Sequence, residues 1–302
     1  MKTALVISGG GAKGAFAAGI VKYIYEAYHA NGWFDIVGGT STGALIAPLA
    51  AVMKKSSLKA AALETLVKCY TTVRTQDILD KRCLFTLLFK PDALYGTKPL
   101  QRILKENLTE ERFEYLQRAD APLCYVVYAD FKTGGACVVT PKDRVPQADG
   151  SGDRPITLEE FRRAVLASAS VPVFMEAATI GGHVCYDGGV RELLPLRYAV
   201  EQGAERILPV FLDPALFAES DSDFKRVDKV LMRTLSIFLN ETLVNDVERA
   251  ELINRAVAVK KSLLEAFAGD PAATEKVHGA LDTAPELFAD DKRLIDIVHG
   301  LK

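Results

Sequence analysis

The pentapeptide Gly39-Thr40-Ser41-Thr42-Gly43 stands directly behind the apolar stretch Phe34-Asp35-Ile36-Val37 and ahead of the helix-like run Ala44 to Ala50. A serine at a sharp strand-to-helix turn sits in a strained conformation. Glycines two residues to either side are then needed, because side chains there would collide with neighbouring backbone. The pattern has two readings. In one, Ser41 is a nucleophile exposed at a helix N-terminus, where partial positive charge favours a developing oxyanion. In the other, Ser41 only caps an ordinary helix. Both demand a strand feeding directly into a helix, and so an α/β fold.

A second glycine-rich turn narrows the choice. The run Thr3-Ala4-Leu5-Val6-Ile7-Ser8 has the length and composition of a buried strand, and it passes at once into Gly9-Gly10-Gly11-Ala12-Lys13-Gly14 and a helical stretch from Ala15 to Tyr28. Consecutive glycines let backbone N–H groups approach a bound anion. That anion is a nucleotide triphosphate, a dinucleotide pyrophosphate or the oxyanion of a tetrahedral acyl intermediate. A phosphate loop needs a hydroxyl after its lysine to hold magnesium, whereas Gly14 and Ala15 follow Lys13. A dinucleotide site needs an acid at the end of the second strand, which here ends in Gly38-Gly39-Thr40-Ser41, with Asp35 on the wrong side of its apolar core. The oxyanion is the favoured ligand. A nucleotide- or dinucleotide-binding protein, with Ser41 as a cap, is the rival.

A nucleophilic serine needs a base. Of the four histidines, His29 ends the first helix, His183 lies in a hairpin-like Gly181-Gly182-His183 turn, and His278 and His299 lie in late polar stretches with no accompanying motif. The better candidate is Asp187, in Tyr186-Asp187-Gly188-Gly189 after a short strand. Asp-Gly is also a common turn dipeptide. A buried carboxylate, its pKa raised toward neutrality, can deprotonate a serine if a loop stabilises the product charge.

Gly-Gly-Gly-x-Lys-Gly after the first strand, Gly-x-Ser-x-Gly after the second and Asp-Gly-Gly far downstream, in this order, resemble the patatin-like phospholipase family. The similarity runs from residue 3 to about residue 250 and includes Ser168-Ala169-Ser170-Val171-Pro172-Val173-Phe174. The resemblance implies a three-layer α/β/α sandwich with a mainly parallel sheet, a Ser-Asp dyad, lipid acyl hydrolysis through an acyl-enzyme, and neither metal nor cofactor. By position it makes Ser41 the nucleophile and Asp187 the general base. Gly9, Gly10, Gly11, Lys13 and Gly14 become the oxyanion loop. Gly39, Thr40, Thr42 and Gly43 form the elbow, and Gly188 and Gly189 the turn after the base. One departure bears on the loop after Asp187. The family often has asparagine shortly before the proline there, whereas Leu194 precedes Pro195 here.

With 302 residues, 49% of them hydrophobic, the chain can bury a large core, and the expectation is a single catalytic domain over 1–302. A net charge of −2 gives no electrostatic case for nucleic acid. Cys69, Cys83, Cys124, Cys137 and Cys185 are scattered without Cys-x-x-Cys spacing, and read as reduced thiols of a cytoplasmic protein. The chain becomes a strand within three residues of Met1, leaving no room for a signal peptide, although a product of signal-free export would look the same. No run of apolar residues is long enough to span a bilayer, so contact with membranes is expected to be peripheral. The oligomeric state is open.

Strands are expected at 3–8, 34–38, 123–130, 136–140, 175–179, 183–186 and 206–212. Helices are expected at 13–29, 43–54, 57–73, 98–107, 157–168, 196–202, 224–240 and 241–267. The stretches 141–155 and 271–285 read as surface loops, and 293–298 as a last edge strand. Residues 77–95 form an insertion containing Leu84, Phe85, Leu87, Leu88 and Phe89 between Arg82 and Lys90. That run reads first as a buried helix turn, and alternatively as a lid that dips into a lipid surface. Residues 224–302 read as a mainly helical C-terminal part. Lys225, Arg226, Asp228, Lys229 and Arg233 suggest outer helices with solvated faces there.

Overall fold

The first strand, β1 (Thr3–Ile7), is covered on both sides: Leu5 and Ile7 enter one apolar cluster, Ala4 and Val6 another. Its period of two therefore places the sheet between two cores. The protein is described here by a computed structural model covering residues 1–27, 34–81, 93–146, 152–213, 224–281 and 296–297. The segment Leu84–Phe89, with Cys83, His29 and His299, lies outside the described residues.

After β1 come β2 (Ile36–Thr40), β3 (Asp80–Lys81), β4 (Tyr95–Gly96), β5 (Leu123–Asp130), β6 (Gly135–Val139), β7 (Arg144–Pro146), β8 (Asp153–Pro155), β9 (Ala178–Ile180), β10 (His183–Asp187), β11 (Arg206–Val210) and β12 (Asp296–Ile297). Eight of these build the main sheet, in the order β12-β11-β1-β2-β5-β10-β9 with β6 alongside β5. The β12, β11, β1, β2 and β5 strands are parallel, whereas β10, β9 and β6 run antiparallel to their neighbours. The chain leaves β1 for β2 on one side, while β11 returns to its other side. Such a reversal of strand order opens a crevice at the carboxyl ends of the strands.

The helices are α1 (Gly14–Ala27), α2 (Thr42–Val52), α3 (Ser56–Thr71), α4 (Thr75–Ile78), α5 (Lys98–Asn107), α6 (Glu110–Gln117), α7 (Leu158–Ser168), α8 (Leu196–Glu201), α9 (Val227–Ala266) and α10 (Pro271–Leu281). Val21, Ile46, Leu66, Leu104, Leu116 and Phe161 carry α1, α2, α3, α5, α6 and α7 into the larger cluster on one face. Leu196 and Ala199 of α8 and Leu243 of α9 cover the other face, against Ala4, Val6, Ile36, Tyr125 and Val127. The result is a three-layer α/β/α sandwich with a mostly parallel sheet.

Several elements differ from the sequence reading. The polar stretch 141–155 contains the antiparallel β7–β8 pair. The charged helix α6 has little apolar periodicity to announce it, and starts where Thr109 Oγ1 accepts from Arg112 N. The two helices expected at 224–240 and 241–267 are one helix of 40 residues, α9. Its outer face is not only solvated charge, since Val227, Val230, Leu231 and Phe238 are exposed. The supposed loop at 271–285 begins as α10. There Asp270 Oδ1 accepts from Ala272 N and Ala273 N at 3.0 and 3.1 Å ahead of a proline pre-set for the first turn. The last edge strand is present as the two residues of β12 beside β11.

Candidate active site

Ser41 follows the last residue of β2 and caps α2, with φ 57° and ψ −122°. A non-glycine residue in this region is strained, and held there only when its surroundings over-determine it. They do so on both sides. A Cβ on Gly39 would strike the backbone of Gly43, and a Cβ on Gly43 would strike the Ile7 carbonyl, so both positions need glycine. The Ser41 N–H donates to Ser168 Oγ at 2.9 Å, and Ser168 Oγ in turn donates to the Val127 carbonyl at 2.5 Å. Ser168, at the end of α7 and wholly buried, therefore bolts the turn to β5. Thr42 opens α2, and its Oγ1 lies 2.6 Å from the Tyr70 hydroxyl. Its N–H has no acceptor among the described residues, as expected for a first helical residue.

Asp187 ends β10 and reaches the same point from the opposite chain direction. Its backbone N–H donates to the Ser170 carbonyl and its Oδ1 accepts from Gly189 N, both at 2.8 Å. Asp187 is 2% exposed. Burial pushes its pKa up to about 6, against the opposing effect of the Ser41 hydroxyl and the Gly189 N–H. The Ser41 hydroxyl thus acts on a buried carboxylate whose proton affinity approaches neutrality. Gly188 is also sterically required, because a Cβ there would meet the Val127 carbonyl.

The glycine loop divides into anchored and open parts. Gly9 N donates to the Leu193 carbonyl at 2.9 Å, so this N–H does not face a ligand. Lys13 N closes a single turn on Gly10 O, Gly14 N donates back into that turn, and the Lys13 ammonium pairs with Asp213 just beyond β11. Gly9, Lys13 and Gly14 are therefore scaffold. Gly10 and Gly11 N–H have no acceptor among the described residues. Gly11 has φ +55°, and a Cβ built there meets nothing within 4 Å, which leaves the loop open toward a ligand.

Ser41, Thr42, Gly11 and Ala12 line one part of a cleft of about 410 Å³ whose walls include Leu45, Leu49, Ile103, Leu104, Leu108 and Val165. The lining is apolar, unlike that of a phosphate site. Asp35, the acid weighed for a ribose, accepts from Thr3 N at 2.9 Å, at the entry to the strands and away from the loop. His183 is paired with Asp130 (Nδ1 to Oδ2, 2.7 Å) and makes no contact with Ser41. Among the described residues no group of His, Cys, Asp and Glu could hold a metal ion, and no helix is long and apolar enough to cross a membrane. Cys124 and Cys185 are buried, Cys69 and Cys137 partly so, and all four are free thiols.

The loop after Asp187, where Leu194 stands before Pro195, is held in a way the sequence did not announce. Asp246 of α9 accepts from Leu193 N and Leu194 N, both at 2.9 Å on the same oxygen, Oδ2. Neither Ser168 as a bolt nor Asp246 as a clamp could be found from local spacing, because their partners are 127 and 53 residues away in sequence.

No curated protein sequence matches the chain significantly. Among solved structures it is similar to VipD from Legionella pneumophila, at 12% identity and a TM-score of 0.40, over 88% of this chain and 55% of that one. The chain thus spans about half the length of that structure's chain. The family profile described as Patatin-like phospholipase matches residues 5–200. That span runs from β1 through the strained serine and the buried carboxylate to α8, well over half of the sequence, and the chain belongs to the patatin-like phospholipase family.

Proposed function

We propose that this protein is a lipid acyl hydrolase that cleaves carboxylic esters with Ser41 and Asp187 as a catalytic dyad. The observation that carries the reading is the strained Ser41 at the end of β2, whose hydroxyl lowers the pKa of the buried Asp187 carboxylate while burial raises it to about 6. Asp187 takes the Ser41 proton as Oγ bonds to the ester carbonyl carbon, and the carbonyl oxygen becomes an oxyanion. Gly10 and Gly11 N–H, with Thr42 N–H at the start of α2, are the donors available to it. Collapse of the intermediate breaks the bond to the alcohol, which leaves with the proton held by Asp187. Water, deprotonated by the same carboxylate, then attacks the acyl-serine and releases the fatty acid.

The apolar walls of the cleft fit an acyl chain, and burying one there contributes about 0.8 kcal/mol per methylene. Lipid substrates imply peripheral contact with membranes; nucleic acid has no part in the reading. Reaction with a fluorophosphonate tests it. The label should appear on the peptide containing Ser41, and Ser41→Ala should abolish both labelling and release of fatty acid from a panel of phospholipids, lysophospholipids and glycerides. Undiminished hydrolysis by a folded Ser41→Ala protein would refute the mechanism.

A further inference from the structure

Leu193 sits where three parts of the site meet. Its carbonyl accepts from Gly9 N at 2.9 Å, and its side chain is the nearest atom to a Cβ built on either Gly9 or Gly189. It is 2% exposed, wedged between the glycine loop and the turn after Asp187. The peptide carrying that carbonyl is fixed in turn by the two N–H groups that Asp246 Oδ2 accepts from α9. On the other side, Ser8 Oγ accepts from Leu212 N and donates to the Gly9 carbonyl, both at 3.0 Å. Gly9 is thus pinned through its N–H to the Leu193 peptide and through its carbonyl to the chain after β11. Among the described residues, Gly10 and Gly11, next in the loop, have N–H groups left to face a ligand.

We infer that Asp246 is a positioning residue for the reaction at Ser41. By holding Leu193 and Leu194 from α9, it fixes the carbonyl from which the glycine loop hangs, and with it the donors facing the oxyanion. Its side chain does not touch the dyad. It acts through two hydrogen bonds in series, Asp246 to Leu193 and Leu193 to Gly9. A carboxylate at this place carries a burden that an apolar residue would not. Burial, with Glu192 adding repulsion, pushes its pKa up to about 7, while the two N–H groups and Arg249 oppose the shift. Such an acid is costly to keep at an apolar interface unless the two N–H groups would otherwise be left without an acceptor.

The inference rests on the proposed hydrolase reading, and its test separates the two. Because one oxygen serves both N–H groups, Asp246→Asn retains an acceptor in place, while Asp246→Leu keeps the bulk and removes it. With a short, soluble ester, Asp246→Leu is expected to lower kcat by about 10- to 100-fold with KM within about two-fold, a fraction of the loss that removing an oxyanion donor causes. Asp246→Asn should stay within about three-fold of the wild type. Leu243→Ala, which weakens the packing of α9 one turn earlier without touching these bonds, should lower the melting temperature yet keep kcat. If the leucine variant does not fold, Asp246→Ser serves, since its hydroxyl is too short to reach both N–H groups. Hydrogen exchange over residues 8–14 supplies a readout that needs no turnover, and it should quicken in Asp246→Leu but not in Leu243→Ala. Unchanged exchange in a folded Asp246→Leu protein, or equal losses of kcat in Leu243→Ala, would overturn the inference. Quickened exchange in a protein whose wild type hydrolyses no ester would instead uphold the loop linkage and overturn the hydrolase reading.

Discussion

Asp187 makes opposite demands on activity and stability. As the proposed base it must be ionised, so kcat/KM should rise with pH through about 6 and level off above it. Stability should run the other way. The folded-state pKa is raised from 3.8 to about 6, so between these values the folded protein binds more protons than the unfolded chain, and stability falls as pH rises across that window. Asp187→Asn should therefore lose several orders of magnitude in kcat while gaining roughly 1–3 kcal/mol of stability at pH 8, read as a higher melting temperature. A melting temperature that drops in this variant would mean that the carboxylate stabilises the fold. Ser168 makes a different prediction. Ser168→Ala leaves the Ser41 N–H buried without its acceptor, which costs about 1–3 kcal/mol. It should also reduce kcat more than it raises KM, because the strained turn loses a fixed point; steady-state kinetics beside a thermal melt would test this.

At the scale of elements, the glycine loop is half anchor and half open edge. Gly10 backs onto Leu212, whose Cβ would lie 2.5 Å from a Cβ at Gly10, and Gly11 occupies φ +55° with free space around it. The two positions should respond differently to alanine. Gly10→Ala must displace the loop from Leu212 and lower the melting temperature together with kcat. Gly11→Ala meets no clash and is opposed only by backbone strain of about 1 kcal/mol, so its effect should fall mainly on kcat. An equal loss of stability in both would contradict this division. The loop, the Ser41 turn and the Asp187 turn were legible in the sequence because each needs glycine at fixed offsets from a chemical residue. What could not be read is which N–H groups of the loop are already engaged. That depends on Leu193, whose apolar side chain signals only core, and on Asp246, one acid among many along a charged helix. The same limit explains α6 and α10, whose starts are marked by Thr109 and Asp270 and not by any apolar stripe.

For the molecule as a whole, α9 closes the second core. Leu243, with Leu239 and Val247 packed beside it, covers the face formed by Leu193, Leu194, Ala199 and Ile207. The family profile ends at residue 200, yet this cover comes after it. A chain ended before Phe224 should expose that face, losing soluble yield and its cooperative melting transition, with turnover lost as well. A soluble, active truncation would show that α9 is dispensable. The alternation of Ala4, Leu5, Val6 and Ile7 already implied two cores, but only the folded chain identifies which late segment fills the second. The linkage from Asp246 through Leu193 to Gly9 also sets a timetable for synthesis. Chains leave the ribosome N-terminus first, at about 5–20 residues per second, so Ser41 emerges several seconds or more before Asp187, and Asp246 emerges later still. During that interval the nascent chain carries Ser41 without Asp187 beside it and a glycine loop without its anchor. On the proposed hydrolase reading, a half-made chain should be silent toward lipid esters until α9 has docked.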